Sequence, residues 1–227
     1  MRLKKWEELP EFMRVDEVKP YYLILEKKKY SLLVKRIFDI IMSLILIVAF
    51  APIMLLISVL IKMDSVGPVI YQQERVTQYG RKFKVLKFRT MINDADKIGT
   101  HVTTQNDSRI TRVGKKIRDC RLDEFPQLFN VLKGDMSFVG TRPEVVKYFE
   151  HYTDEMKATL LLPAGITSMA SIMFKDEVAI LSNETDVDKT YIEEVLPQKM
   201  EYNLRSIEGF SLWEDLKTAV MTLGAVI

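Results

Sequence analysis

The sequence predicts an α+β protein that is mostly helical, with a re-entrant membrane helix-break-helix, a small β-hairpin and amphipathic interfacial helices. Three observations support this prediction. Ile40–Ile61 is an uncharged apolar run, and two alternating segments flank a glycine turn at residues 78–80. Apolar residues also recur at helical spacing at Ile110, Val113 and Ile117. With 227 residues and a formal net charge of +2, the chain is long enough for one core and gives no charge argument for binding nucleic acid.

The apolar run Ile40–Ile61 fits a membrane helix by length. Its 22 residues would reach ~33 Å as a helix, against a hydrocarbon core of ~30 Å. Pro52 lies near its middle and has no N–H to donate to the carbonyl of Val48. Two interpretations follow: a spanning helix with a proline kink, or a re-entrant hairpin that breaks at Ala51 and Pro52.

The charges around this run favour the hairpin. Residues 1–36 carry ten Lys/Arg, and residues 62–89 carry seven Lys/Arg against two acids. Basic flanks prefer the cytoplasmic side of a membrane. A spanning helix would export one of them, whereas a hairpin keeps both on the same side.

A β-hairpin is predicted from residues 69–73 and 82–88, which flank a turn containing Gly80. The second segment ends with Lys87 and Arg89, two cations that either face anionic lipid or clamp a phosphate group.

Two helix starts are predicted from capping motifs. Residues Asp107 and Ser108 are expected to cap a helix over 109–118, whose basic face carries Arg118 and either lies on a membrane surface or is solvated. Thr141 and Glu144 read as a capping box that opens a helix over 143–151. Arg142 would then lie at a helix N-terminus, where anions bind.

The adjacent acids Asp123 and Glu124 precede Pro126, which fits the first turn of a helix. One interpretation is that they cap that helix and complement its dipole. The other is a catalytic pair beside Arg118 and Arg121, in which one carboxylate is a nucleophile and the other a metal ligand. The sequence contains no GxGxxG or Walker loop, so any chemistry must rest on carboxylates, cations and a metal.

Five motifs occur in an order that resembles the bacterial sugar transferase family, the monotopic phosphoglycosyl transferases. They are KRIFD (35–39), GPVIYQQER (67–75), KFRTM (87–91), RLDEFPQLFNVLKGDMSFVGTRP (121–143) and PAGIT (163–167). The family has Ser-Pro where this chain has Ala51-Pro52, and Pro-Arg-Pro where it has Thr141-Arg142-Pro143.

The resemblance implies a membrane-associated enzyme that moves a sugar phosphate from a UDP-sugar to undecaprenyl phosphate, releases UMP and initiates polysaccharide or glycoconjugate synthesis. It implies that Asp123 is the nucleophile of a covalent aspartyl-phosphosugar intermediate, and that Glu124, with Asp123, holds Mg²⁺. Phosphate-binding cations are then expected at Lys87, Arg89, Arg118 and Arg142.

The resemblance also implies an organisation and a location. Residues 1–34 would be an N-terminal extension, 35–63 a re-entrant hairpin in the lipid bilayer, and 64–227 a catalytic domain on the cytoplasmic face of the bacterial inner membrane. Two other functions stay open: a membrane-anchored interaction module without activity, and a lipid phosphatase. The sequence does not identify the sugar, and it leaves a homodimer open.

Overall fold

The computed structural model describes residues 1–93, 95, 107–175 and 186–226, and they are mostly helical, as predicted. The α-helices are α1 (Lys19–Lys27), α2 (Lys29–Asp64), α3 (Arg112–Asp119), α4 (Gln127–Lys133), α5 (Val146–Phe149), α6 (Met169–Met173), α7 (Val187–Thr190), α8 (Leu196–Glu208) and α9 (Leu212–Val226). Short 3₁₀ turns cover Trp6–Glu8, Glu11–Met13, Gln78–Gly80, Leu122–Glu124 and Met156–Leu161, and a π-helical turn, Tyr191–Val195, leads into α8.

Two small two-stranded sheets accompany the helices. The predicted hairpin is confirmed: β1 (Ile70–Val76) pairs antiparallel with β2 (Lys82–Phe88), in a register that places Ile70 opposite Phe88. The second sheet pairs β3 (Met136–Val139) with β4 (Ala164–Thr167) in parallel. This sheet was not predicted, because four-residue strands are too short to display an alternating pattern.

The long helix α2 contains the whole apolar run. By length and composition it could cross a membrane, and only 11% of its most apolar window is buried, unlike a core helix. The helix continues through Ala51 and Pro52, both exposed, so the pair that the sequence analysis singled out as a break lies within one helix.

Both halves of α2 bury side chains against the rest of the protein, whereas the middle of the helix is largely exposed. No residue between Ser43 and Met54 is buried. The first half is fixed by Arg36, which donates to the carbonyls of Val131 (2.6 Å) and Leu132 (2.8 Å) in the last turn of α4. Cations at this end complement the helix dipole and satisfy carbonyls that have no helical partner. The buried residues of α2 are Leu32, Lys35, Asp39, Ser43, Met54, Ile57 and Ile61.

The first 25 residues contribute several buried side chains to the largest core cluster. Met13, Val18 and Leu25 are fully buried, and this cluster also contains side chains from α8 and the turn Met156–Leu161. The segment that the sequence analysis described as an extension therefore packs into the main body of the protein.

Two predicted caps differ from the structure. Helix α3 begins at Arg112, and the Thr111 hydroxyl caps it by accepting from the Gly114 amide at 3.0 Å. The capping box at Thr141 and Glu144 is wrong: α5 begins only at Val146. The Glu144 carboxylate instead accepts a hydrogen bond from the buried hydroxyl of Tyr191. A hydrogen bond in the protein interior is stronger than one to a solvated backbone amide, so the carboxylate binds the tyrosine instead of capping a helix.

Candidate active site

The acid pair lies on a 3₁₀ turn, Leu122–Glu124, between α3 and α4. The backbone of Arg121, which begins this turn, lies in the left-handed region with a φ of 55°. Residues other than glycine rarely adopt this conformation, and those that do are often found at functional sites. The sharp turn buries the Asp123 side chain, which is 8% exposed. The two acids thus precede α4 instead of forming its first turn.

Asn130 fixes the distance between the acid pair and strand β2. Its amide nitrogen donates to the Lys84 carbonyl at 2.9 Å, and its amide oxygen accepts from the Leu86 amide at 3.0 Å. This side chain is 1% exposed, and it pairs with the strand as a neighbouring strand would. It brings Lys87, the next residue of β2, to 3.2 Å from Glu124 Oε1.

Arg142 reaches the same glutamate from the loop after β3. Its Nη2 lies 2.5 Å from Glu124 Oε1, its Nη1 lies 3.4 Å from Oε2, and Nη1 also donates to the Ile166 carbonyl at 3.2 Å. The structure therefore brings together four of the predicted site residues: Asp123, Glu124, Lys87 and Arg142.

A close approach of two glycines positions this loop. The Gly140 amide donates to the Thr167 carbonyl at 3.0 Å, and the Gly165 amide donates to the Thr141 carbonyl at 2.8 Å. A Cβ added at Gly165 would lie 2.2 Å from the backbone of Gly140, so a side chain there would separate the strands. The loop that carries Arg142 thus depends on glycine at position 165.

The electrostatics differ between the two acids. Burial raises the pKa of Asp123, and the charge of Glu124 adds to this, while Lys87 and Arg118 oppose it. For Glu124, burial also acts to raise the pKa, but Arg142 and Lys87 outweigh it and hold the pKa well below its usual range. Two carboxylates with different pKa values can take different roles in one reaction.

The pKa of Lys87 is lowered by burial, against the stabilising charge of Glu124. Lys87 and Arg142 are nevertheless paired with the same carboxylate, so they present positive charge beside Asp123. An anionic substrate could share these cations with Glu124.

The other two predicted phosphate-binding residues have different positions. Arg118 acts on Asp123 through its charge. Arg89 is 4% exposed, and its guanidinium donates to the carbonyls of Ser65 (2.7 Å) and Val66 (3.0 Å). These hydrogen bonds tie the end of β2 to the loop after α2, so the contacts of Arg89 do not support its predicted role as a phosphate ligand.

The acid pair fits a Mg²⁺ ion that brings further ligands with a phosphate substrate. Mg²⁺ is commonly held by one or two carboxylates, with phosphate oxygens and water completing its octahedron. Among the described residues, no group of three or more His, Cys, Asp or Glu side chains could hold a metal ion. Glu124 Oε2 accepts a long 3.4 Å contact from Arg142, and this carboxylate oxygen is the candidate ligand for a cation.

Helix α9, like α2, carries exposed apolar side chains. The two helices are joined by Lys35, whose Nζ lies 2.5 Å from Asp215 Oδ2 and donates to the Val139 carbonyl at 2.9 Å. On α9 the exposed apolar side chains are Leu212, Trp213, Leu216, Val220, Met221 and Leu223. Phe125, next to the acid pair, packs against Phe50 of α2 with ring centroids 4.8 Å apart. The candidate active site thus lies beside the membrane-type helix.

Sequence reasoning missed the residues that hold the site in place. Asn130 and Glu144 were not predicted in these roles, and neither were Tyr191 and Lys199, which contact Glu144. Asn130 stands between two apolar pairs in the sequence, Leu128-Phe129 and Val131-Leu132, and this position is the signal that it offered, since such a residue is rarely buried without partners.

Comparison with known proteins gives a family match. The family model described as "Bacterial sugar transferase" matches residues 30–227. The chain is 36% identical over 197 residues to a UDP-N-acetylgalactosamine-undecaprenyl-phosphate N-acetylgalactosaminephosphotransferase of Aeromonas hydrophila, covering 86% of this chain and 44% of that protein.

Two further relatives are named UDP-glucose:undecaprenyl-phosphate glucose-1-phosphate transferase. The chain is 38% identical over 198 residues to that of Klebsiella pneumoniae, covering 85% of this chain and 40% of the relative. It is 34% identical over 196 residues to that of Caulobacter vibrioides, covering 85% of this chain and 69% of the relative. The chain thus spans less than half the length of the first two relatives.

Proposed function

Because the chain belongs to the bacterial sugar transferase family, we propose that it transfers a sugar phosphate from a UDP-sugar to undecaprenyl phosphate. The observation that carries this proposal is the acid pair, with Asp123 buried and Glu124 paired with Lys87 and Arg142. Relatives named for N-acetylgalactosamine and for glucose match about equally well, so the sugar is not part of the proposal.

The first step is an attack by Asp123 on the phosphorus that carries the sugar. An Asp123 carboxylate oxygen forms a bond to this phosphorus, the bond from phosphorus to the bridging diphosphate oxygen breaks, and UMP leaves with that oxygen and the bonding electrons. A carboxylate nucleophile divides the transfer into two substitutions. Lys87 and Arg142 would stabilise the charge that develops on the diphosphate oxygens.

In the second step the undecaprenyl phosphate attacks the same phosphorus. One of its oxygens forms the new bond, the bond to Asp123 breaks, and the carboxylate is regenerated with undecaprenyl diphosphate-sugar as product. A covalent intermediate allows a soluble donor and a lipid acceptor to use one site in turn.

We propose that Mg²⁺ binds at Glu124 and Asp123 together with the donor diphosphate. When bound, it would neutralise phosphate charge as a Lewis acid. Arg142 and Lys87 hold Glu124 in place, so the carboxylate is oriented before the substrate arrives.

A re-entrant arrangement of α2 at the cytoplasmic face of the inner membrane completes the proposal. Leu25 and Leu32, at the N-terminal side of α2, share a core cluster with Val76, which follows α2 in the chain. A helix that crossed the bilayer would separate its two flanks by the ~30 Å hydrocarbon core. These contacts support a helix that enters and leaves on one side, with its exposed middle around Pro52 in the lipid.

The test is to trap the intermediate. Wild-type protein given UDP-sugar labelled in the sugar and Mg²⁺, without lipid, should release at most about one UMP per enzyme and keep the label after denaturation. Undecaprenyl phosphate should discharge the label. Asp123→Asn should not acquire it, whereas Asp119→Asn, an exposed acid at the end of α3, should behave as wild type.

Two outcomes would contradict the proposal. Release of free sugar phosphate to water at the catalytic rate would favour a phosphatase. Full turnover in Asp123→Asn would remove Asp123 as the nucleophile.

A further inference from the structure

The loop that carries Arg142 is anchored by a buried polar network on its far side. Two residues after Arg142, the Glu144 carboxylate is only 6% exposed. Its Oε1 accepts a hydrogen bond from the Tyr191 hydroxyl at 2.7 Å and lies 3.5 Å from Lys199 Nζ. Lys199 also donates to the Tyr191 hydroxyl at 2.9 Å, which closes a triangle of three buried polar groups.

The partners of Glu144 come from a distant part of the chain. Tyr191 lies in the π-helical turn and Lys199 lies in α8, where they are 4% and 6% exposed. The Tyr191 ring also packs on Tyr148 with centroids 4.4 Å apart. A buried carboxylate, hydroxyl and ammonium group are costly unless they satisfy one another, so this network favours a single arrangement of the loop.

Strand β1 fixes the same loop through its backbone. Arg75 Nη1 donates to the Pro143 carbonyl at 2.9 Å, and the Val76 amide donates to the Glu144 carbonyl at 3.0 Å. The residues between Arg142 and its network are therefore held on both sides. Because Arg142 is connected to Glu144 by a single proline, a displacement of Glu144 moves the guanidinium relative to Glu124.

We propose that Glu144, Tyr191 and Lys199 are positioning residues that hold Arg142 in place for the donor diphosphate. The proposal rests on the donor-binding role of Arg142 in the proposed function. In this arrangement α8 and the π-helical turn support catalysis without contacting the substrate. They act on the active site through the Glu144 carboxylate.

The experiment is a double-mutant cycle in the full-length protein. Tyr191→Phe removes one oxygen and keeps the ring packed on Tyr148. The loss of one buried hydrogen bond predicts a fall in kcat/KM for the UDP-sugar of roughly 3- to 10-fold. In an Arg142→Ala background the same substitution should have almost no further effect, because there is no guanidinium left to position.

The matched control is Tyr202→Phe, which removes a hydroxyl from a partly buried tyrosine on α8, the helix that also carries Lys199. It should leave kcat/KM unchanged. Glu144→Gln is the second variant: it removes the charge opposite Lys199 and should reduce kcat/KM more than Tyr191→Phe, again only when Arg142 is present. Additive losses in the Arg142→Ala background would overturn the proposal.

Hydrogen exchange gives a readout that needs no substrate. Tyr191→Phe should increase amide exchange in residues 140–147 while lowering the melting temperature by only a few degrees, as expected for the loss of one buried hydrogen bond in a chain of this size. Unchanged exchange there would also overturn the proposal. Absence of turnover in wild type would count against the proposed function alone, since hydrogen exchange would still measure the network.

Discussion

Asp123 illustrates the conflict between stability and function at a single residue. Burial raises its pKa, so the folded protein binds this proton more tightly than the unfolded chain does. The stability contributed by Asp123 is therefore present at low pH and is lost as the pH rises through the raised pKa. At neutral pH the ionised, buried carboxylate destabilises the fold.

Asp123→Asn should therefore melt at the same or a higher temperature than wild type at pH 7, while turnover falls by at least about 10³-fold. The amide retains the shape of the side chain without the buried charge. Thermal unfolding and UMP release measure the two effects. A clear loss of stability in Asp123→Asn would indicate that the carboxylate has a structural role instead.

The pH dependence of kcat/KM should report the same carboxylate. Activity requires ionised Asp123, so it should fall as the pH drops through a pKa above the ordinary value for aspartate. The Lys87 charge lowers this pKa and the Glu124 charge raises it. Lys87→Met should therefore move the acid limb to higher pH and Glu124→Gln to lower pH, each on a reduced rate. Shifts in the same direction would contradict the assignment.

Arg142 should be replaceable only in part by lysine. Arg142→Ala removes charge-assisted hydrogen bonds and should reduce kcat/KM for the donor by about 10- to 100-fold. Arg142→Lys should recover a fraction, because an ammonium group cannot form the bidentate contact of a guanidinium. Donor titrations of both variants test this, and full activity in Arg142→Ala would mean that this arginine serves only to hold Glu124.

At the residue scale, the acid pair could be predicted from the sequence because Asp123 and Glu124 are adjacent. The structure places two of the four predicted cations, Lys87 and Arg142, beside them. Arg89 was assigned with Lys87 because both lie near one strand end. However, β2 ends at Phe88, and the unpaired carbonyls after α2 attract the Arg89 guanidinium. The contact of Arg89 with these carbonyls depends on the tertiary fold, and no sequence motif indicates it.

At the element scale, helices and the first hairpin were predictable from periodicity, whereas the caps of α3 and α5 were not. The Thr141–Glu144 motif fits a capping box by spacing, yet Glu144 is bound by Tyr191, which is 47 residues away. Only tertiary packing brings that hydroxyl near. The same limit applies to α2: its length fits both a spanning and a re-entrant helix, and the difference lies in what contacts its flanks.

Helix α2 should leave both of its flanks on one side of the membrane. Cys120 is exposed and follows α2, while Asp16 is exposed and precedes it. In intact cells an impermeant thiol reagent should label neither native Cys120 nor a cysteine introduced as Asp16→Cys in a Cys120→Ser background. Both should react after lysis. Labelling of only one from outside would mean that α2 spans the membrane.

At the scale of the whole molecule, the N-terminal residues close a core with the C-terminal helices. Met13 and Leu25 pack in the same cluster as Leu204 and Ile207 of α8. Because α8 also carries Lys199 of the positioning network, the N-terminal segment supports the site indirectly. The burial of this segment was not predicted, because residues 1–29 carry charges of both signs and two prolines and therefore show no clear apolar periodicity.

Loss of this packing should be measurable as stability. Leu25 is fully buried, and Leu25→Ala should destabilise the protein by about 2–5 kcal/mol through lost burial and the cavity that remains. Leu23 lies on the same helix, α1, but is 46% exposed, so Leu23→Ala should cost far less. Denaturant unfolding of the detergent-solubilised protein compares the two. Equal losses would mean that residues 1–25 are an attachment to the core instead of part of it.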